Sequence, residues 1–205
     1  MADARTGRMN PVTCTDALLV IDMQVDFLPG GALAVAGADG LVPLINRLSH
    51  LPFGVVVASQ DWHPADHVSF ETCGGPWPVH CVAGTRGAAL APGLDQAAMG
   101  VLLRKGLDPD TDSYSAFADN AHQHRTGLEG LLRERGISRV FVAGVALDYC
   151  VAHTARDARQ AGFGTVVLHD ACRAVAQDTQ AVLAALDAQG INHAASVELL
   201  VQHTT

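Results

Sequence analysis

Six short apolar runs, separated by stretches of helical spacing, constrain this chain more than any other feature. Residues 17–21, 54–59, 101–103, 139–143, 165–168 and 196–201 have the near-continuous aliphatic character of strands buried on both faces. Residues 41–48, 127–135, 148–161 and 178–189 place their apolar side chains at helical intervals. Strands alternating with helices predict a parallel sheet covered on both sides and joined by right-handed crossovers. The expected fold is therefore α/β: a Rossmann-like, single-domain, three-layer α/β/α structure on a six-stranded parallel sheet. The 205 residues suffice for one full core, and an aromatic content of only 5% suits helices on a sheet better than a β-sandwich. The domain is expected over 17–205, with 1–16 as a polar N-terminal extension lacking the apolar stretch of a signal peptide.

Charge narrows the choice of partner. A net charge of −8, with no basic cluster longer than Arg104-Lys105, gives no footprint for nucleic acid or an anionic membrane. No apolar run is long enough to cross a bilayer. Cys14, Cys73, Cys81, Cys150 and Cys172 are dispersed without a CxxC pair, the usage of a reduced, cytoplasmic protein.

One segment interrupts the alternation. Residues 60–100 are rich in Pro, Gly, His and Trp and weakly periodic, and connections of that length usually carry function. Polar groups also collect at the carboxyl ends of the expected strands, where ligands bind in such sheets: Asp22 after the first, Asp61 after the second, Lys105 after the third and Cys150 after the fourth. At a strand-to-helix turn, Cys150 faces unpaired backbone N–H groups that favour a thiolate or an oxyanion, though a buried structural thiol fits the same position. Lys105 is the sole lysine beside twelve arginines, and a compact ammonium enters a site that a guanidinium cannot. Asp22, costly to bury without a partner, reads on its own as a capping or turn aspartate. Asp61 and His63, two apart on extended backbone, point to one side and with His80, or His67, offer a mixed carboxylate–imidazole metal set; solvated loop residues would look the same.

Taken together, these segments resemble the isochorismatase-like hydrolase superfamily, and within it the nicotinamidases (pyrazinamidases). The resemblance rests on Val20-Ile21-Asp22-Met23-Gln24-Val25-Asp26-Phe27, Gly30-Gly31-Ala32-Leu33, Asp61-Trp62-His63-Pro64, Trp77-Pro78-Val79-His80-Cys81, Arg104-Lys105-Gly106, Asp112-Ser113-Tyr114-Ser115-Ala116-Phe117 and the block 144–151, in the family's order. Two positions depart from it: Ala116 stands where Gly is frequent, and Leu147 where Thr is. The resemblance implies Cys150 as nucleophile, Asp22 as general base, and Lys105 holding both electrostatically. It implies an oxyanion hole from the N–H groups of Ala146 and Cys150, with a cis Val145-Ala146 peptide, and Phe27, Trp77, Tyr114 and Ala146 against a flat aromatic substrate. Asp61, His63 and His80 would hold one divalent metal ion per chain, zinc first, with iron or manganese also suited and His67 a further candidate ligand. The implied reaction converts nicotinamide, and pyrazinamide, to the acid and ammonia, serving NAD salvage. The same resemblance leaves two rivals, another superfamily hydrolase such as an isochorismatase or an amidase for carbamoylated amines, and a metal-binding scaffold without turnover. It leaves monomer or homo-oligomer undecided.

Overall fold

The structure, a computed structural model, describes residues 9–203. Of the expected extension, residues 1–8 lie outside the described residues. Six parallel strands form one sheet: β1 Asp16–Ile21, β2 Val55–Asp61, β3 Val101–Lys105, β4 Arg139–Val145, β5 Gly164–Arg173 and β6 Asn192–Ala194, in the order β3-β2-β1-β4-β5-β6. β1 lies at the centre with every residue buried, which is why it reads as an unbroken apolar run.

Alternate residues of the strands feed two cores. On one face, Leu18, Val20, Val56, Phe141 and Leu168 pack against Leu41, Ile45 and Leu48 of α1 (Val42–Ser49) and its approach, and against Leu199 of α5 (Val197–Leu200). On the other, Leu19, Ile21, Val57, Val140 and Val142 meet Leu128 and Leu132 of α2 (Leu128–Glu134), Ala155 and Ala158 of α3 (Ala152–Gln160), and Leu183 and Leu186 of α4 (Thr179–Asp187). The chain thus has the three layers its pattern predicts.

The sixth expected strand is a correction. Residues 196–201 hold α5 and the turn after it, while β6 is the three-residue segment 192–194. Val197, Leu199 and Val201 look like one face of a strand, yet only Leu199 is buried, and Val197 and Val201 are 54% and 68% exposed. Ser196 starts the helix instead, its N–H and Oγ both donating to the Asp170 carboxylate at 2.8 and 2.6 Å. β6 is too short and polar to announce itself by periodicity.

Strand order reverses between β1 and β4: the chain steps outward from β1 to β2 and β3, then returns to the other side for β4. Loops leaving the carboxyl ends of these two strands diverge and open a crevice, the usual ligand position in open α/β sheets. The segment after β2 fills one wall. His63 N–H donates to Cys81 O and His63 O accepts from Ala83 N–H, at 3.0 and 2.8 Å, so residues 63 and 80–83 run side by side.

Candidate active site

Four neighbouring strands, β3, β2, β1 and β4, deliver Lys105, Asp61, Asp22 and Cys150 to one buried cluster. Strands lie about 4.8 Å apart, so groups at adjacent strand ends fall within ion-pair reach. Lys105 is its hub. Its Nζ lies 2.9 Å from Asp22 Oδ2, 2.5 Å from Asp61 Oδ1 and 3.5 Å from Cys150 Sγ, and it donates to Ser113 O at 2.8 Å. Burial opposes the ammonium, but Asp22 and Asp61 hold its pKa well above the ordinary value. Asp22 takes a left-handed φ of 48° immediately after β1, and Ser59 Oγ donates to its Oδ1 at 2.6 Å.

Cys150 sits in a π-helical turn, residues 147–151, closed by Val151 N–H donating to Ala146 O at 3.1 Å. The preceding Val145-Ala146 peptide is cis. One carboxylate oxygen each of Asp22 and Asp61 lies within 4.8 Å of the Cys150 sulfur. Burial pushes the Cys150 thiol well above its ordinary range, both carboxylates add to this, and Lys105 alone opposes. These influences favour the thiol over the thiolate that its helix position suggests. Burial also raises Asp22, against the pull of Lys105, so a proton acceptor of enhanced affinity stands beside the thiol.

Asp61 links this cluster to a second one. Its Oδ1 is committed to Lys105, while its Oδ2 faces His63 Nε2 at 3.7 Å. His63 Nδ1 pairs with Gly106 O at 2.9 Å and His80 Nδ1 with Pro78 O at 2.7 Å. A carbonyl only accepts, so both rings carry Nδ1–H and in the neutral form offer the Nε2 lone pair, the tautomer of a metal ligand with its outer partner in place. Burial opposes charge on His63, but Asp61 beside it raises its pKa. Donor atoms of Asp61, His63 and His80 lie within 4.8 Å of one another. Burial lowers the pKa of His80, keeping it neutral. Burial would raise Asp61, but Lys105 and His63 hold it far below the usual carboxylate range. The donor set fits a divalent ion. His67 groups with His63 and Asp112 instead, its ring stacked on His63 at 4.0 Å and its Nδ1 2.7 Å from Ser69 Oγ.

A cleft of about 440 Å³, its open mouth included, lies over both clusters. Phe27, Trp77, Tyr114, Tyr149 and Ala146 line it, with Cys150, Asp61 and His80 also reaching it. Trp77 Nε1–H donates to Tyr114 OH at 3.2 Å, and Tyr149 packs edge-on against both rings. The result is a mainly apolar, aromatic-lined slot into which Asp61, His80, Asp112 and Cys150 reach.

The isochorismatase domain model matches residues 16–198. The chain belongs to the isochorismatase family. The nicotinamidase of Acinetobacter baylyi is 46% identical over 175 residues, covering 78% of this chain and 81% of that protein. Among solved structures, PnC1 from L. infantum in complex with nicotinate superposes with a TM-score of 0.90 at 48% identity, covering 92% of this chain and 97% of that one. The pyrazinamidase of Pyrococcus horikoshii in complex with zinc gives a TM-score of 0.79 at 38% identity, covering 88% and 99%.

The isochorismatase fold also recruits residues to which the sequence reading gave no role. Gln24 clamps β2, its Nε2–H donating to Asp61 O and Ala88 O at 2.8 and 2.9 Å while its Oε1 accepts from Asp61 N–H at 2.8 Å. Phe70, fully buried, packs edge-on against His63 and His67 and in a similar orientation against His80. Ser59, Tyr149 and Asp112 complete the set. Gln24 and Asp112 sit inside the motif blocks and Ser59 beside one, so position could have flagged them; Phe70 carries no such signal. Of the remaining cysteines, Cys14 and Cys73 are exposed and Cys172 is buried elsewhere, Cys81 joins the wall through its backbone, and all five thiols are free.

Proposed function

We propose that this chain is a nicotinamidase, hydrolysing the carboxamide of nicotinamide, and of pyrazinamide, to the acid and ammonia through a cysteine thioester. The observation that carries the reading is the single buried ammonium touching Asp22, Asp61 and Cys150 beneath an aromatic slot. The names of the relatives and solved structures point to the same chemistry.

Cys150 is the nucleophile in this mechanism. Asp22 takes the Sγ proton as sulfur bonds to the carboxamide carbon, and Lys105 offsets the negative charge that develops. Backbone N–H groups of Ala146 and Cys150 receive the oxyanion. The C–N bond breaks as Asp22 returns the proton to the departing nitrogen, releasing ammonia and leaving a thioester on Cys150. Asp22 then removes a proton from water, water oxygen bonds to the acyl carbon, and the C–S bond breaks with that proton going back to sulfur. Phe27, Trp77 and Tyr114 hold the ring, and Ala146 lies against its edge.

Asp61, His63 and His80 would hold one divalent ion, zinc by preference for this mixed donor set, with His67 behind them. Bound there, it supplies a Lewis-acid contact for the pyridine nitrogen, directly or through water. Such a contact favours a ring amide over a linear one. The proposed setting is the cytoplasm, in NAD salvage: five unpaired thiols suit a reducing compartment, and among the described residues no helix is long and apolar enough to cross a membrane. Ammonia release on adding nicotinamide, compared with a linear amide of similar size, tests the reading. Turnover of nicotinamide far above the linear amide supports it, and no ammonia from nicotinamide with metal supplied overturns it.

A further inference from the structure

Lys105 carries one positive charge and contacts two buried carboxylates, Asp22 and Asp61. A divalent ion placed against Asp61, His63 and His80 therefore meets at most one uncompensated negative charge. Two imidazoles add none. Such a centre would bury net positive charge, which is costly among side chains as buried as these. One further carboxylate faces this space. Asp112, half-buried in the loop after β3, lines the cleft beside Asp61 and His80, and its donor oxygen lies within 4.8 Å of ring nitrogens of His63 and His67. His63 belongs to both groups, with Asp61 and His80 in one and with His67 and Asp112 in the other, so Asp112 stands next to the proposed ligands. Asp112 Oδ1 accepts from Ser113 N–H at 2.7 Å, and Oδ2 engages no donor among the described residues. The loop is fixed in turn, since Ser113 O accepts from Lys105 Nζ and Asp112 O from Asn120 N–H, both at 2.8 Å. A carboxylate with one oxygen anchored and the other without a hydrogen-bond partner, beside a cluster short of negative charge, is placed to hold a cation.

We propose that Asp112 is the second carboxylate of the metal site, compensating the charge of a divalent ion held by Asp61, His63 and His80 and strengthening its binding. This rests on the metal reading above. Its test uses the full chain stripped of metal, with zinc dissociation constants measured by competition against a chromogenic chelator. Asp112→Asn keeps the size and the acceptor for Ser113 N–H but removes the charge. It should weaken zinc binding about 10- to 100-fold, the range for outer partners of a metal site, and leave the melting temperature of the metal-free protein unchanged. His80→Ala serves as the ligand control and should lose tight zinc altogether. Wild-type affinity in Asp112→Asn, with His80→Ala impaired, overturns the inference while the metal reading stands. Weak zinc binding by the wild type, unaltered in His80→Ala, overturns the metal reading and this inference with it.

Discussion

As a fully buried ammonium, Lys105 shows what a single residue contributes here. From sequence its rarity and its place after β3 stand out, but not its burial, so replacing it looks harmless to folding. Burial changes that expectation. Lys105→Ala leaves Asp22 and Asp61 close together without a counter-ion, and breaking a buried ion pair on one side costs about 3–5 kcal/mol. Asp22 already has a raised folded-state pKa, so the folded protein takes up a proton more readily than the unfolded chain, and the loss should shrink as pH falls. Urea melts at pH 5 and pH 8 check the sign. Lys105→Arg keeps the charge, but a planar fork does not reproduce contacts to two carboxylates, Ser113 O and a sulfur. Turnover should fall about a hundredfold or more, roughly 3 kcal/mol, and near-normal turnover by the Arg variant would remove Lys105 from the mechanism. Cys150→Ala should abolish ammonia release while nicotinamide binding by calorimetry persists. Mass spectrometry of wild-type enzyme quenched in turnover should find the acyl group on Cys150.

At the scale of elements, the strand ends set the precision of the site. Gly106 closes β3 with a φ of 65°, and a Cβ there would come within 2.4 Å of the His63 ring. Gly106→Ala should therefore displace His63, lowering bound metal per chain and turnover together, as His80→Ala should; His67→Ala should cost less of both. Metal analysis of protein purified without chelator measures this, and full metal content in Gly106→Ala would break the link between that turn and the cluster. Elements were legible where burial on both faces made them apolar throughout, as in β1 and β4, and where helical spacing was long. The β6 edge failed because three residues with Asn192 exposed give no pattern, while three aliphatics of 196–201 counterfeit one. Lys105, Asp61, Asp22 and Cys150 could be singled out because strand-end position is a property of local sequence. Position could flag Gln24 and Ser59 as well, but not what they do, because their partners come from distant segments joined only by folding, and Phe70 has no positional mark at all.

Over the whole molecule, reactivity is sorted by depth. Cys14 and Cys73 are exposed, Cys81 and Cys172 are buried, and burial raises the Cys172 thiol to about 12. Iodoacetamide should label Cys14 and Cys73 readily, spare Cys81 and Cys172, and reach Cys150 slowly through the cleft, with nicotinamide protecting it. Peptide mapping reads this, and labelling of Cys172 at the rate of Cys73 would contradict the packing. The shared ammonium has a consequence for the molecule as a thermodynamic system. Asp61 and Asp22 compete for one cation, so losing Asp61 lets Lys105 bind Asp22 more tightly and makes it a poorer base. A substitution on the metal side thus reappears as a change in proton affinity on the sulfur side. In a double-mutant cycle the two carboxylates should not add, and the coupling free energy between them should change once Lys105 is gone, because only their direct repulsion is then left.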